Sequence, residues 1–91
     1  MIAIIFTSSV KKENQEAFLA VAKTHAALSL KDKGCIRFDV LSPDGDDIKF
    51  IEIWENQDCL DMHAKRSSCG EEAPKMNALR YTKKMENYTI L

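Results

Sequence analysis

This sequence is short of nearly everything that marks a specialised class. Its 91 residues hold only 3 glycines and 2 prolines, too few for a linker-rich or fibrous chain, and no tract is low in complexity. No apolar run approaches the ~20 residues that cross a bilayer. Ile2 to Phe6 is too short for a signal-peptide core and has no basic flank. The net charge of −1 leaves no positive excess for phosphates, so no nucleic acid is expected as partner. Lys11-Lys12 and Lys83-Lys84 read as solvated pairs. Three cysteines, Cys35, Cys59 and Cys69, are an odd number without a C-x-x-C pair, which fits free thiols in a reducing compartment. No phosphate-cradling glycine loop, G-x-S-x-G or dinucleotide fingerprint occurs, so no cofactor is expected. These absences describe a soluble, cytoplasmic, single domain over residues 1–91, with no membrane partner.

What is present is ordinary globular material, 45% hydrophobic and 30% charged, arranged with clear periods. Ile2 to Ser9 is β-branched and predicts a strand. Lys12 to Asp32 predicts a helix, with Phe18, Val21, Ala22, His25, Ala26 and Leu28 near one face. Gly34 follows where a helix end needs positive φ. Cys35 to Leu41 alternates, Ile36, Phe38 and Val40 against Arg37 and Asp39, as a second strand does. "SPDGDD" is turn chemistry, and so short a link makes the strand from Ile48 to Glu55 antiparallel to its predecessor. Asn56 suits the N-cap of a helix from Gln57 to about Ser67 that stops near Gly70. Pro74 opens a further short helical turn through Leu79, and Arg80 to Leu91 contains the last strand. The order is β-α-β-β-α-β, an α+β ferredoxin-like arrangement with a four-stranded antiparallel sheet.

Both faces of that sheet carry apolar residues. Ile2, Ile4 and Phe6 oppose Ala3 and Ile5, and Phe50 and Trp54 oppose Ile51 and Ile53. Two helices cover only one face, and each Ile or Phe buried is worth about 1.5–3 kcal/mol. A homodimer joined through the helix-free face is therefore expected.

The densest concentration of chemistry lies between Gly34 and Lys65. Glu52 and Trp54 are two apart on one strand and must share a face. A carboxylate on a buried face needs a partner, and Arg37 on the neighbouring strand is the candidate. His63 shares a helix face with Leu60 and Cys59, and His25 lies on the apolar stripe of the first helix, where a structural role is the simpler reading. Cys59 and His63 have the i, i+4 spacing of two metal ligands, but zinc takes three or four and no second pair accompanies them, so no metal site is expected.

These residues carry a resemblance. Gly34-Cys35, Phe38-Asp39-Val40, Phe50-x-Glu52-x-Trp54-Glu55-Asn56 and Leu60-x-x-His63 resemble the antibiotic-biosynthesis-monooxygenase family, whose dimeric α+β barrels include cofactor-independent quinol monooxygenases. The resemblance implies a monooxygenase acting with dioxygen on a small aromatic or quinol-type substrate. Glu52, Trp54 and His63 match the family pattern, and the assignment built on them expects His63 as base or polariser of a phenolic hydroxyl, Glu52 orienting it from a pairing with Arg37, Trp54 and Phe38 as substrate walls, and His25 as a further substrate-binding residue. Many members carry a second histidine five residues after the first, where this chain has Ser68. The haem-degrading branch relies on an Asn, Trp and His set that is not reproduced here. The same fold also serves an isomerase and proteins of no known activity, so the alternatives are a non-enzymatic dimeric barrel binding a small hydrophobic metabolite and an isomerase of the same fold. An intact His63–Glu52 pair lining an open cavity favours the enzyme, and a pocket filled by Phe and Met side chains, with His63 hydrogen-bonded to backbone, favours the binding or structural reading.

Overall fold

A computed structural model describes residues 1–91. Four strands, β1 (Ile2–Ser9), β2 (Cys35–Val40), β3 (Asp47–Trp54) and β4 (Thr82–Thr89), and three helices, α1 (Lys12–Ser29), α2 (Gln57–Cys69) and α3 (Glu72–Leu79), follow one another as β1-α1-β2-β3-α2-α3-β4. The strands form one antiparallel sheet in the order β2-β3-β1-β4, the ferredoxin-like arrangement. No helix is long and apolar enough to cross a membrane.

Register decides which side chains meet the helices. On β3 the even residues Ile48, Phe50, Glu52 and Trp54 are buried while the odd ones are half-buried. Their cross-strand partners Phe6, Ile4 and Ile2 on β1 lie on the same face, as pleating requires. α1 lays Phe18, Ala22, His25 and Ser29 onto this face, at the i, i+4, i+7 and i+11 spacing of one stripe. Leu28, placed on that stripe by its period, lies outside it and is exposed.

Two boundaries differ from expectation for local reasons. α1 ends at Ser29 rather than Asp32, because Leu30 to Lys33 turn the chain toward Gly34, whose φ is +80°. A Cβ at Gly34 would stand 2.7 Å from that of Cys59, so this crossing admits only glycine. α3 begins at Glu72, two residues before Pro74. Proline is still tolerated there because an N–H in the first turn has no helical acceptor. α2 starts as expected, with Asn56 Oδ1 accepting from the Cys59 N–H at 2.9 Å.

A β-bulge between Cys35 and Arg37 interrupts the alternation of β2. Cys35 and Phe38 keep the helix side, opposite Trp54 and Glu52. Ile36, the extra residue, leaves that face and is 51% exposed. The three cysteines are unpaired. Burial, with Glu52 and Asp32 nearby, pushes the Cys35 thiol up to about 11. Exposed Cys69 should therefore react first with iodoacetamide at pH 8, Cys35 more slowly, and buried Cys59 only on unfolding. Peptide mapping after timed alkylation checks the order, and early modification of Cys59 would contradict the packing.

Candidate functional site

Between the helix-covered face of the sheet and the α2–α3 segment lies a cavity of about 230 Å³. That is just under the ~300 Å³ at the lower end of small-molecule pockets. Phe6 and Phe50 form its floor, and Leu60 and Met76 narrow it from the helices. Its polar wall contains Glu52, His25 and His63, and Arg80 and Lys83 stand with Met85 at the end toward β4. Cys59, Leu60, His63 and Ser67 form the buried stripe of α2, so helix periodicity aims His63 inward.

The two histidines are held by one ionic chain. His63 Nδ1 lies 2.8 Å from Asp32 Oδ2, and Arg66 Nε lies 2.8 Å from Asp32 Oδ1. A second nitrogen of Arg66 donates to Glu72 Oε1 at 2.8 Å, and that oxygen stands 3.3 Å from His25 Nδ1. The imidazole rings are 5.2 Å apart between centroids. A carboxylate at Nδ1 favours the tautomer with the proton on Nδ1 and the lone pair on Nε2. Neither Nε2 has a protein partner, and neither is sealed from space.

Burial favours the neutral form of both rings. Burial lowers the pKa of His63 against the opposing pull of Asp32. Burial likewise lowers that of His25, helped by His63 and opposed by Glu72. Burial tends to raise Glu72, but hydrogen bonds from Arg66, its own backbone and His25 outweigh it and bring this carboxyl down to about 2. Glu52 has no cationic partner. Burial lifts it to about 7, opposed only by a 3.0 Å hydrogen bond from Trp54 Nε1. One wall of the cavity thus combines neutral imidazoles able to accept protons with a carboxylic acid half-ionised near neutrality.

Several expected partnerships are corrected. Arg37 does not pair with Glu52. Phe38 stands opposite Glu52, which turns Arg37 to the helix-free face, where it binds Asp39. Glu52 does not orient His63; Asp32 does. Trp54 and Phe38 do not line the cavity. Trp54 is fully buried behind His63, with ring centroids 4.6 Å apart, and Phe38 packs behind both histidines. The aromatic floor belongs to Phe6 and Phe50 instead. His25, read as more simply structural, stands on the cavity wall beside His63. Ser68 also reaches the lining. No group of three or more His, Cys, Asp or Glu side chains stands close enough to hold a metal ion.

The fold is an α+β domain of the ferredoxin-like class, with a cavity of about 230 Å³ against its helix-covered face. The sequence profile of the family described as antibiotic biosynthesis monooxygenase matches residues 1–71, and the chain belongs to that family. Among solved structures, one antibiotic biosynthesis monooxygenase superposes with a TM-score of 0.89 at 19% identity, covering 100% of this chain and 99% of its own. A variant of SnoaB, a cofactor-independent oxygenase from Streptomyces nogalater, gives 0.83 at 19% identity over 98% and 91%. A conserved protein from Bacteroides thetaiotaomicron gives 0.85 at 28% identity over 96% and 94%. A curated relative, the uncharacterized protein sll1783 of Synechocystis, is 32% identical over 56 residues, 59% of this chain. The match spans only 38% of that relative's length.

Proposed function

We propose that the protein is a cofactor-independent monooxygenase that oxidises a small hydroquinone-type aromatic with dioxygen. The observation that carries this reading is His63: its Nδ1 is anchored on Asp32 at 2.8 Å, its Nε2 has no protein partner, and the residue lines an open, Phe-floored cavity. A hydroquinone reduces dioxygen once it loses a proton, so the protein's task is to bind, exclude water and supply a base. His63 Nε2 takes the hydroxyl proton. The phenolate passes one electron to dioxygen, and the resulting superoxide and semiquinone combine at a ring carbon. The peroxide regains the proton from His63. Its O–O bond then breaks as the ring C–H is lost, giving one water and a hydroxyquinone from one hydroquinone and one dioxygen. Glu52, neutral in part of its population, donates to a ring oxygen, and His25 contacts the substrate beside His63.

Dioxygen consumption with a panel of hydroquinones, with and without chelator, tests this. Uptake above autoxidation, one dioxygen per hydroquinone and unchanged by chelator, is the expected result. Binding without uptake would instead assign the fold to a non-enzymatic binder.

The assembly we propose is a homodimer in the cytoplasm, paired through the helix-free face. Tyr88, Ala3, Ile53 and Arg37 form one cross-strand row there, and Glu86, Ile5, Ile51 and Asp39 the next. Tyr88 is 51% exposed. Burial of three isoleucines and a tyrosine from each copy, at about 1.5–3 kcal/mol per large side chain, favours pairing. Light scattering across a concentration series should give twice the 10.3 kDa chain mass. A persistent single-chain species at micromolar protein would refute it.

A further inference from the structure

Arg80 is an arginine out of balance with its surroundings. The chain has three arginines, Arg37, Arg66 and Arg80. The first is paired with Asp39 and the second with Asp32 and Glu72. Arg80 is half-buried and makes no salt bridge: Nε donates to Asn77 Oδ1 at 3.1 Å, one terminal nitrogen to Ser8 Oγ at 3.1 Å, and the other to Asn77. Its guanidinium carbon stands 5.2 Å from the centroid of Phe6, a cation–π contact that fixes its plane. A guanidinium has five N–H donors. Three are met here by neutral oxygens, which leaves two without a protein acceptor. Lys83 lies opposite Ser8 in the β1–β4 register and lines the same cavity. The only carboxyl on the lining is Glu52, whose hydrogen-bond partner is Trp54.

We propose that Arg80, positioned by Asn77 and Ser8 and assisted by Lys83, is an anion-recognition subsite that selects aromatic substrates bearing a carboxylate. The geometry suits such a ligand. Phe6 lies directly beneath Arg80 and also forms part of the cavity floor, so a ring stacked on that floor carries its substituent to the guanidinium. A planar fork of free N–H groups matches a carboxylate better than a point charge would. Burial lowers the guanidinium below its ordinary value, yet arginine stays charged at neutral pH, and an incoming anion would relieve a charge that the fold leaves unpaired. The inference rests on the proposed reading of the cavity as the substrate site, but its test does not need turnover.

Isothermal titration of 2-naphthoate against 2-naphthamide, two inert probes of the same shape, reads the subsite directly. The wild-type protein should bind the carboxylate about tenfold to hundredfold more tightly, as charge-assisted hydrogen bonds allow, and raised salt should narrow the gap. In Arg80→Gln the preference should vanish, and Arg80→Lys should restore part of it. Equal affinities in wild type overturn the proposal, as does a preference that survives in folded Arg80→Gln. If that variant fails to fold, the wild-type ratio and its salt dependence decide. An Arg80-dependent preference without dioxygen uptake would sink the monooxygenase reading and leave the subsite standing.

Discussion

His63→Ala should lower hydroquinone turnover about 10²–10⁴-fold, the usual contribution of a positioned acid or base. The site supplies no equivalent replacement. His25 is close, but its Nδ1 is bound to Glu72 and its ring is set 5.2 Å from that of His63, so its Nε2 cannot occupy the same point. Folding should survive, because Asp32 keeps its ion pair with Arg66 at 2.8 Å when the imidazole is gone. Asp32→Asn should also slow turnover, through loss of orientation and of charge stabilisation for the imidazolium. Because burial lowers the pKa of His63, kcat/KM should rise with pH and level off below the ordinary 6.5 of a free histidine. Steady-state oxygen uptake and thermal melts on the same preparations distinguish the roles. If His63→Ala unfolds the protein while activity per folded molecule is unchanged, the histidine is structural and the site lies elsewhere.

The architecture was legible because two periods and one turn carry it. Period-two alternation in Ile48 to Trp54, a turn too short for a crossover, and glycine at the helix exit leave few other topologies. The inward face of α2 was legible too, since Leu60 and His63 share a stripe. What a linear pattern does not reveal is depth and partnership. Spacing places Glu52 and Trp54 on one face, but Trp54 sits at the strand end beneath α2, its indole N–H turned back onto Glu52. It is a support behind the site, and Trp54→Ala is accordingly a core truncation costing about 3–5 kcal/mol. The bulge at Ile36 cannot be seen in an unbroken alternation. Asp32 and Glu72 escaped notice because they reach the histidines across 31 and 47 residues of chain. Arg66 carried a usable sign: it follows His63 by three residues on the same helix, so a cation next to the inward stripe implied buried acids to meet it. Arg80 had none, since it lies at the end of α3, where periodicity stops.

Glu52→Gln should stabilise the protein by about 3 kcal/mol at pH 8 and by almost nothing at pH 4. Burial lifts this carboxyl from 4.5 to about 7, and each pKa unit corresponds to about 1.4 kcal/mol. The folded chain keeps the proton between pH 4.5 and 7 while the unfolded chain gives it up. Stability from this group is therefore full below pH 4.5 and is lost as pH rises through about 7. The histidines run the other way. Their folded pKa values are lowered, so their contribution is present above 6.5 and lost as pH falls, and it offsets Glu52 in the wild-type curve. Comparing variant with wild type at each pH cancels the histidines and isolates the carboxyl. Gln keeps an oxygen to accept from Trp54 and cannot ionise, so it removes the charge without opening a cavity. Urea denaturation at pH 5, 6, 7 and 8 should show the gap between the two proteins widening with pH. A constant gap, or a variant less stable at pH 8, would mean that Glu52 is already neutralised by a partner in solution. The same substitution also separates two parts Glu52 could play in catalysis. If its proton is what the substrate oxygen needs, Glu52→Gln retains a donor at every pH, and turnover should persist above pH 7 where that of the wild type declines.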